Sequence, residues 1–347
     1  MPQFSFDLAS RDDRETCRRA IREGSRSFYA ASRLLPWQAR RSAFGLYAFC
    51  RLSDDAVDLR GGSMEALDRL RNRLARAVQG RPASYAPDRA MADLLRRHAI
   101  PSVLPEALLE GLAWDAEGRT YDTLDELFEY AARVAGSVGV MMALIMGVRS
   151  PQTLARACDL GVAMQLTNIA RDVGEDARLG RIYLPRQWLR DVGIDADAWT
   201  ADPEPDAEIR RAVARLLDVA DGLYERARAG IARLPADCRP SILAAALIYA
   251  EIGSEIERNG FDSVSRRARV SGVRKLRLLA RAVIEAPWLS EQETSAPLTC
   301  ARFLIEAAAN ARPIARRPPR PIVDWRESFI GVLDTFQRLK RAERLGD

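Results

Sequence analysis

The sequence predicts an all-α protein, built as a single large helical bundle. Apolar residues recur at intervals of three and four over most of the 347-residue chain. We find no convincing run in which apolar and polar residues alternate as they do in a strand. Prolines and paired glycines fall between the periodic segments and mark turns. A composition of 48% hydrophobic and 29% charged residues suits a globular chain with a sizeable core.

Ten segments have the periodicity of a helix, and we expect them to pack together within residues 1–290. They are residues 12–33, 36–60, 64–79, 88–98, 105–117, 123–148, 151–178, 208–234, 238–258 and 272–285. The longest uncharged run, residues 134–148, is 15 residues long and contains three glycines. It is too short to cross a membrane, so we expect a buried core helix there.

Residues 291–347 are expected to form a C-terminal extension. A linker rich in proline and arginine, residues 312–323, precedes a segment in which Trp325, Phe329 and Phe336 recur among basic residues at helical spacing. Two interpretations of this amphipathic helix stay open. Either it packs on the main body, or it rests on a membrane or a partner.

Composition excludes several classes of function. His98 is the only histidine, which excludes a histidine-based triad and argues against a histidine-ligated zinc site. The five cysteines are scattered without CxxC spacing, as expected in a reducing, cytoplasmic compartment. The N-terminus lacks the apolar core of a secretory signal. The net charge of +5 is modest and the arginines are interleaved with acids, so nucleic-acid binding is not expected.

Three aspartates crowd into the short segment LSDDAVDLR, where like charges repel one another. At about 100° per residue, a helix through this segment carries a polar stripe roughly 60° wide. The stripe consists of Tyr47, Arg51, Asp54 and Asp58, and apolar residues occupy much of the remaining circumference. Carboxylates on a mostly buried helix need a cation, and two of them one turn apart suit Mg²⁺. Asp55 lies beside the stripe and is expected to hold an arginine or orient the helix.

A matching stripe follows more than a hundred residues later. Gln165, Asn168, Asp172 and Asp176 are spaced three, four and four residues apart, and Arg171 adjoins Asp172. If the two stripes face each other across a bundle, carboxylates and an amide surround one cavity. Because Mg²⁺ commonly bridges carboxylates to phosphates that arginines also contact, the cavity suits a diphosphate head with a hydrocarbon tail. The structural alternative is a pair of helices in which an arginine holds each aspartate.

At these residues the sequence resembles the squalene/phytoene synthase family. Four ordered blocks within residues 20–290 carry the resemblance: SRSFYAASRLLP, YAFCRLSDDAVD, AMQLTNIARDVGEDARLGRIYLP and IYAEIGSEIERNGFDSVSRRARVSGVRKL. The resemblance implies an isoprenoid synthase fold around a central cavity, with residues 1–290 as the catalytic domain. The last block is similar to the segment that closes the site in carotenoid-forming bacterial members.

The resemblance also implies roles for individual residues. Ligands to Mg²⁺, or to Mn²⁺, would be Asp54, Asp58, Asn168, Asp172 and Asp176. Contacts to diphosphate would come from Ser25, Ser27, Arg51, Arg171 and Arg267. The reacting centre would be lined by Tyr47, Gln165, Tyr183 and Tyr249, and the apolar channel by Phe28. Tyr249 is equally compatible with plain core packing and Ser25 with an ordinary helix N-cap, and which arginine of residues 266–269 faces the site stays open.

The expected reaction is the head-to-head condensation of two geranylgeranyl diphosphates, through a cyclopropyl diphosphate, to 15-cis-phytoene. Metal ions and arginines would stabilise the departing diphosphate. No NADPH is expected, because no GxGxxG motif follows a strand and the last block resembles carotenoid-forming members. The alternatives are a squalene, hydroxysqualene or diapophytoene synthase that uses farnesyl diphosphate, and a non-catalytic assembly protein of this fold. The apolar product implies peripheral association with the membrane and a downstream carotenoid enzyme as partner.

Overall fold

The structure, a computed structural model, describes residues 7–58, 64–292 and 295–311, except for the side chains of Val57 and Asp58. All regular elements within these ranges are helices, which confirms the predicted all-α fold. In chain order the α-helices are α1 (Arg11–Gly24), α2 (Arg26–Ser32), α3 (Trp37–Asp58), α4 (Met64–Val78), α5 (Ala86–Arg97), α6 (Val103–Ala116), α7 (Leu124–Ala131), α8 (Ser137–Ile145), α9 (Pro151–Arg178), α10 (Arg186–Arg190), α11 (Ala196–Ala201), α12 (Ala207–Ala232), α13 (Arg239–Arg258), α14 (Gly272–Glu285) and α15 (Arg302–Asn310).

The longest helix, α9, lies in the middle of the bundle. Its 28 residues begin after the N-cap Ser150, whose Oγ accepts a hydrogen bond from the backbone N–H of Thr153 at 3.3 Å. Pro151 occupies the first turn, where a missing N–H costs nothing. Helix α8 packs along α9, and so do α12 and α13. Because α9 is buried over much of its circumference, it presents both packing residues and a polar stripe to the interior.

The helix predicted over residues 12–33 is two helices that meet at Ser25, so the prediction of one continuous helix is wrong there. Ser25 has an extended backbone, with φ −149° and ψ 99°. Its N–H donates to the carbonyl of Ile21 at the end of α1, and its Oγ accepts from the N–H of Phe28 at 3.2 Å. One serine thus ends a helix and caps the next, which allows a bend without orphan backbone groups. The bend brings Ser25, Ser27 and Phe28 to the wall of an interior cavity.

The helix predicted over residues 123–148 runs as α7, a π-helical stretch at Ala132–Gly136, and α8. A π turn adds a residue to the helix and rotates the side chains that follow it. By length and composition alone, the stretch Leu124–Ile145 would suffice to cross a membrane. It packs instead against α6 and α9, so it is the buried core helix that the sequence predicts.

A short last helix lies beyond residue 290, where we expect the catalytic domain to end. This helix, α15, packs against α6, α8 and α9 and buries Leu304 and Ile305. Residues 295–311 therefore pack on the body of the protein. The proline-rich linker at 312–323 and the amphipathic helix expected after it lie outside the described residues.

Candidate active site

A cavity of about 870 Å³ runs between α2, α3, α6, α8, α9, α12 and α13. Its volume falls in the range of sites that enclose small ligands. One end, which we call the head end, is defined by Asp54, Asp172 and Asp176. The head end opens to solvent, since the side chains of Arg51, Asp54 and Arg267 there are 49%, 48% and 45% exposed. Apolar side chains form most of the remaining wall, among them Phe28, Leu46, Leu108, Leu112, Val138, Met142, Met146, Met164 and Ile242.

The first polar stripe lies along the C-terminal half of α3. Arg51 contacts Asp55, with Nη2 2.8 Å from Oδ1, and its Nη1 lies 3.6 Å from Asp54 Oδ2. The prediction that Asp55 holds an arginine is confirmed. These half-exposed pairs add little stability, so Arg51 can exchange them for a ligand at small cost. Asp58 ends α3, but its side chain lies outside the described residues, and its role as a metal ligand stays a prediction.

Two arginines hold Asp172 in the second stripe. Arg171 donates to its two carboxylate oxygens at 2.7 and 2.5 Å, and Arg267 donates to the same oxygens at 2.8 and 3.2 Å. Burial would raise the pKa of Asp172, but the two guanidinium groups outweigh it and hold the pKa below its usual value. Arg267 also contacts Glu175 at 3.0 Å. Of the arginines in residues 266–269, Arg267 is therefore the one that faces the head end.

Asn168 and Asp176 lie one helical turn to either side of Asp172, and the surroundings of both side chains favour a bound cation. Burial and the charge of Asp172 raise the pKa of Asp176 to about 7, and Arg181 offsets this only in part. Asn168 Oδ1 is buried and accepts no hydrogen bond from the part of the chain that the structure describes. A divalent cation bound between Asp172 and either neighbour would satisfy that group, so the residues present fit Mg²⁺.

The carboxylates do not form a complete metal cage. Within residues 7–58, 64–292 and 295–311, no three acidic, cysteine or histidine side chains lie close enough to hold a metal ion alone. Mg²⁺ usually takes one or two carboxylates and completes its octahedral shell with substrate phosphates and water. The head end therefore suits an ion that arrives with a phosphate-bearing ligand.

Aromatic rings line the cavity beside the head end. Phe28 stacks on Tyr249 with ring centroids 4.9 Å apart and meets Tyr47 edge-on at 6.4 Å. Tyr249 is buried in the core and also lines the cavity, and its place at the reacting centre stays a prediction. Burial raises the pKa of Tyr249 to about 12 against the opposing effect of Arg171, so its hydroxyl stays protonated at neutral pH. The faces of such neutral rings can stabilise a cation.

Of the other predicted site residues, some line the cavity and one contacts a residue that lines it. Ser25, Ser27 and Gln165 line the cavity. Ser25 is the N-cap of α2, which confirms that interpretation, and its contact with diphosphate stays a prediction. Tyr183 does not line the cavity, but Asp115 does. The Tyr183 hydroxyl donates a hydrogen bond to Asp115 Oδ1 at 2.8 Å. Tyr183 therefore reaches the site through that carboxylate.

Asp115 is a site residue that sequence reasoning missed. It lies near the end of α6, lines the cavity, and accepts hydrogen bonds from Tyr130 and Tyr183, each at 2.8 Å. Burial raises the pKa of Asp115 to about 6, although the two tyrosine donors oppose the shift. Tyr121 packs with both other tyrosine rings, at centroid distances of 5.2 and 6.2 Å. In the sequence, Asp115 is marked only as an aspartate in a largely apolar helix, and this pattern is too common to predict a site residue.

Asp115→Asn is expected to make the protein more stable at neutral pH. The folded state raises the pKa of Asp115 from 3.8 to about 6, so its contribution to stability is present below pH 4 and is lost as pH rises through 6. Asparagine is neutral, so it avoids the desolvation penalty that burial imposes on the ionised Asp115 carboxylate. We expect the unfolding free energy of the variant to exceed that of the wild type by about 1–3 kcal/mol at pH 7.5, with convergence below pH 4. Urea denaturation at both pH values measures this, and an equal difference at both would assign the effect to packing.

These features together define a class of protein. Carboxylates, arginines and an orphan amide oxygen meet at the open end of an apolar cavity, as an enzyme needs if it acts on an amphiphile with a polyanionic head. Comparison with known proteins makes the class specific. The family described as squalene/phytoene synthase matches residues 21–274, and the chain belongs to this family. It is an enzyme of the prenyltransferase type, with a prenyl diphosphate as substrate.

Similar proteins and structures agree with this assignment. The phytoene synthase of Rhodobacter capsulatus is 50% identical over 306 residues, 86% of this chain and 90% of that protein. The 15-cis-phytoene synthase of a Paracoccus species is 45% identical over 273 residues, 76% of this chain and 88% of that protein. A solved dehydrosqualene synthase matches with a TM-score of 0.72 and 31% identity, over 78% of this chain and 95% of its own. The predicted isoprenoid synthase fold is confirmed.

Proposed function

We propose that this enzyme condenses two geranylgeranyl diphosphates head to head into 15-cis-phytoene, as a step of carotenoid biosynthesis. One observation carries the proposal: Asp54, Asn168, Asp172 and Asp176 line one end of a cavity whose remaining wall is mostly apolar. Diphosphate heads and prenyl tails match the two parts of this cavity. Identities of 50% and 45% to phytoene synthases over most of the chain support the choice of reaction.

Different residues of the chain bind the diphosphate, bind the metal ion and shield the allylic cation. Arg171 and Arg267 transfer from Asp172 to the diphosphate, because a guanidinium fork fits phosphate oxygens as well as it fits a carboxylate. Asp54, Asn168, Asp172 and Asp176, together with Asp58, would hold Mg²⁺ or Mn²⁺, which would supply positive charge to stabilise the departing diphosphate. Phe28, Tyr47 and Tyr249 keep water from the allylic cation and turn ring faces or edges toward it.

One incubation tests the proposal. Purified protein is given Mg²⁺ and either geranylgeranyl or farnesyl diphosphate, with and without NADPH, and the products are separated by chain length. We expect phytoene from geranylgeranyl diphosphate, in equal yield with and without NADPH. A C30 product from farnesyl diphosphate alone, or strict dependence on NADPH, would instead identify a squalene, hydroxysqualene or diapophytoene synthase. Turnover of neither substrate would contradict the proposal.

The same proposal includes peripheral association with the cytoplasmic side of a membrane. The outer face of α14 carries Val273, Arg277, Arg281 and Ile284, and Trp288 follows in the next turn; we call this the α14 surface. Trp288 and Ile284 are 84% and 70% exposed. Tryptophan and basic residues beside exposed apolar side chains are typical of surfaces that rest on anionic lipid. A membrane docked there would take up the apolar product and present it to the downstream carotenoid enzyme.

The double variant Ile284→Glu/Trp288→Glu is expected to lose membrane binding while it keeps turnover of detergent-dispersed substrate. Both side chains are exposed, so the fold does not depend on them. Flotation with vesicles that contain anionic lipid measures the bound fraction, which we expect to fall about tenfold or more. Val78→Glu on α4, where Val78 is 48% exposed, is the matched control and should bind as the wild type does. Equal loss in both proteins would mean that added negative charge, and not the α14 surface, weakens binding.

A further inference from the structure

The charged residues of the cavity wall are distributed unevenly. Ten charged side chains of the described chain line the cavity. Nine belong to the head end or its immediate surroundings: Arg51, Asp54, Asp115, Arg171, Asp172, Glu175, Asp176, Arg181 and Arg267. The tenth, Arg156, precedes Asp172 by sixteen residues on α9, which is about 24 Å along the helix axis. A charge at the hydrocarbon end of a cavity has no role in binding a diphosphate head, so it needs another explanation.

Arg156 is fixed in a buried ion cluster behind the cavity wall. Its side chain is 3% exposed, and Nε lies 2.9 Å from Asp159 Oδ2, on a carboxylate that is 1% exposed. Its Nη2 donates to the backbone carbonyl of Ser295 at 3.1 Å. Arg226 of α12 holds the same carboxylate, with Nε 3.1 Å from Oδ2. The guanidinium of Arg156 is thus tied both to a buried anion and to the segment that leads into α15.

The aliphatic stem of Arg156 forms part of the cavity floor, which we define as Thr153, Arg156, Ile231 and Leu234. Gly230 of α12 lies against this stem, and a β-carbon built there would meet Arg156 Cγ at 3.0 Å and press on Cβ as well. No space therefore exists behind the stem into which it could retreat toward α12. One side chain of the floor is therefore held at both its stem and its head.

We infer that Arg156 is the end stop that sets the longest prenyl tail the enzyme accepts. The inference rests on the proposed function, since it requires a prenyl tail that extends from the head end to the floor. A tail that is too long must displace Arg156 from Asp159 and the Ser295 carbonyl, and this would leave buried charges and a donor unpaired. Met142, Met146 and Met164 also line the cavity, and their flexible side chains can adapt to a ligand, whereas Arg156 is fixed by its buried partners.

Arg156→Met tests the inference, because methionine keeps an unbranched stem but carries no charge and no donor. Diphosphate release is measured with geranylgeranyl diphosphate and with geranylfarnesyl diphosphate, whose tail is one isoprene unit longer. We expect the wild type to discriminate strongly against the longer substrate. The variant should raise the ratio of kcat/KM for the longer over the shorter substrate about tenfold or more, since even one methylene is discriminated by about that factor. The ratio is the decisive quantity, because a general effect of the substitution on turnover cancels between the two substrates.

Arg226→Met is the matched control, since Arg226 binds the same carboxylate but does not line the cavity. It should leave the substrate ratio unchanged, and an equal rise in both variants would overturn the inference. If Arg156→Met fails to fold, as judged by its thermal midpoint, the double variant Arg156→Met/Asp159→Asn removes the paired charges together and should raise the ratio equally. A wild-type enzyme that uses both substrates equally well overturns the end stop without any variant. Loss of turnover with every prenyl diphosphate, the wild type included, would instead contradict the proposed function.

Discussion

Asp172→Asn should lower kcat/KM by about a thousandfold or more while the helical far-UV spectrum stays that of the wild type. The substitution keeps the shape of the side chain but removes the charge that binds Arg171 and Arg267 and that the proposed metal ion would require. Loss of a single preorganised charge interaction in an active site costs about 10²–10³ in rate, and this carboxylate serves several partners at once. Asp54→Ala should have a comparable effect, because Asp54 lines the facing side of the head end. Steady-state kinetics of diphosphate release measures both.

The competing explanation is that these aspartates only hold helices together through arginines. Asp88 provides the matched control, since it is 1% exposed and is held by two hydrogen bonds of 2.8 Å from Arg73, away from the cavity. Asp88→Asn should lower the unfolding free energy, by about 3 kcal/mol or more, and leave kcat/KM within about twofold. The structural explanation predicts the same pattern for Asp172→Asn. Unfolding of that variant, or retained activity in it, would therefore contradict a role in catalysis.

Gly161→Ala is expected to destabilise the fold by about 3 kcal/mol, although alanine is the better helix former. Gly161 lies on α9 where this helix crosses the π-helical stretch. A β-carbon there would come within 2.7 Å of the carbonyl carbon of Ala135 and 2.9 Å of Gly136 Cα. Backbone atoms cannot rotate away, so the two helices must separate and the cavity wall between them must shift. Thermal and urea denaturation measure the loss, and the same shift should lower activity in the variant that remains folded.

Gly222→Ala is the control that separates this clash from the general effect of a methyl group in a helix. Gly222 lies within α12, and no atom outside its own helix is within 4 Å of where a β-carbon would be. Here alanine reduces the freedom of the unfolded chain without strain, and we expect a gain of about 0.4–1 kcal/mol. If Gly161→Ala also stabilised the protein, the close approach of α9 to the π-helical stretch would be incorrect.

The sequence predicts the helices well because most are amphipathic or have clear stop signals. α9, predicted at residues 151–178, begins and ends at those residues, since Pro151 and the caps around it leave little choice. The bend at Ser25 was missed because periodicity continues across it, while the serine that makes it is only a local hydrogen-bonding feature. The π-helical stretch was missed for a different reason. It depends on how Gly136 and Gly161 let two backbones approach, which is a property of the packed bundle.

In the candidate site, too, features within one helix could be predicted and features that depend on packing between helices could not. The two polar stripes were found because their members lie one helical turn apart, so a single helix fixes their geometry. Asp115 was not found, since its partners Tyr130 and Tyr183 are 15 and 68 residues away and meet it only in the folded chain. The same holds for the choice of Arg267 within a run of arginines. Its loop must first be placed against α9 before one of them can be seen to reach Asp172.

If the head end binds a metal ion as proposed, we expect the two arginines on Asp172 to make the binding of metal and of diphosphate depend on each other. A cation alone must displace Arg171 and Arg267 from the carboxylate, and an anion alone must draw them away and leave the carboxylate bare. When both bind, the cation takes the Asp172 carboxylate and the diphosphate takes Arg171 and Arg267, so no charged group is left unpaired. Thermodynamic reciprocity then requires that diphosphate raise the affinity for metal by the same factor by which metal raises the affinity for diphosphate. On this proposal the head end would favour a metal–diphosphate complex over either ion on its own.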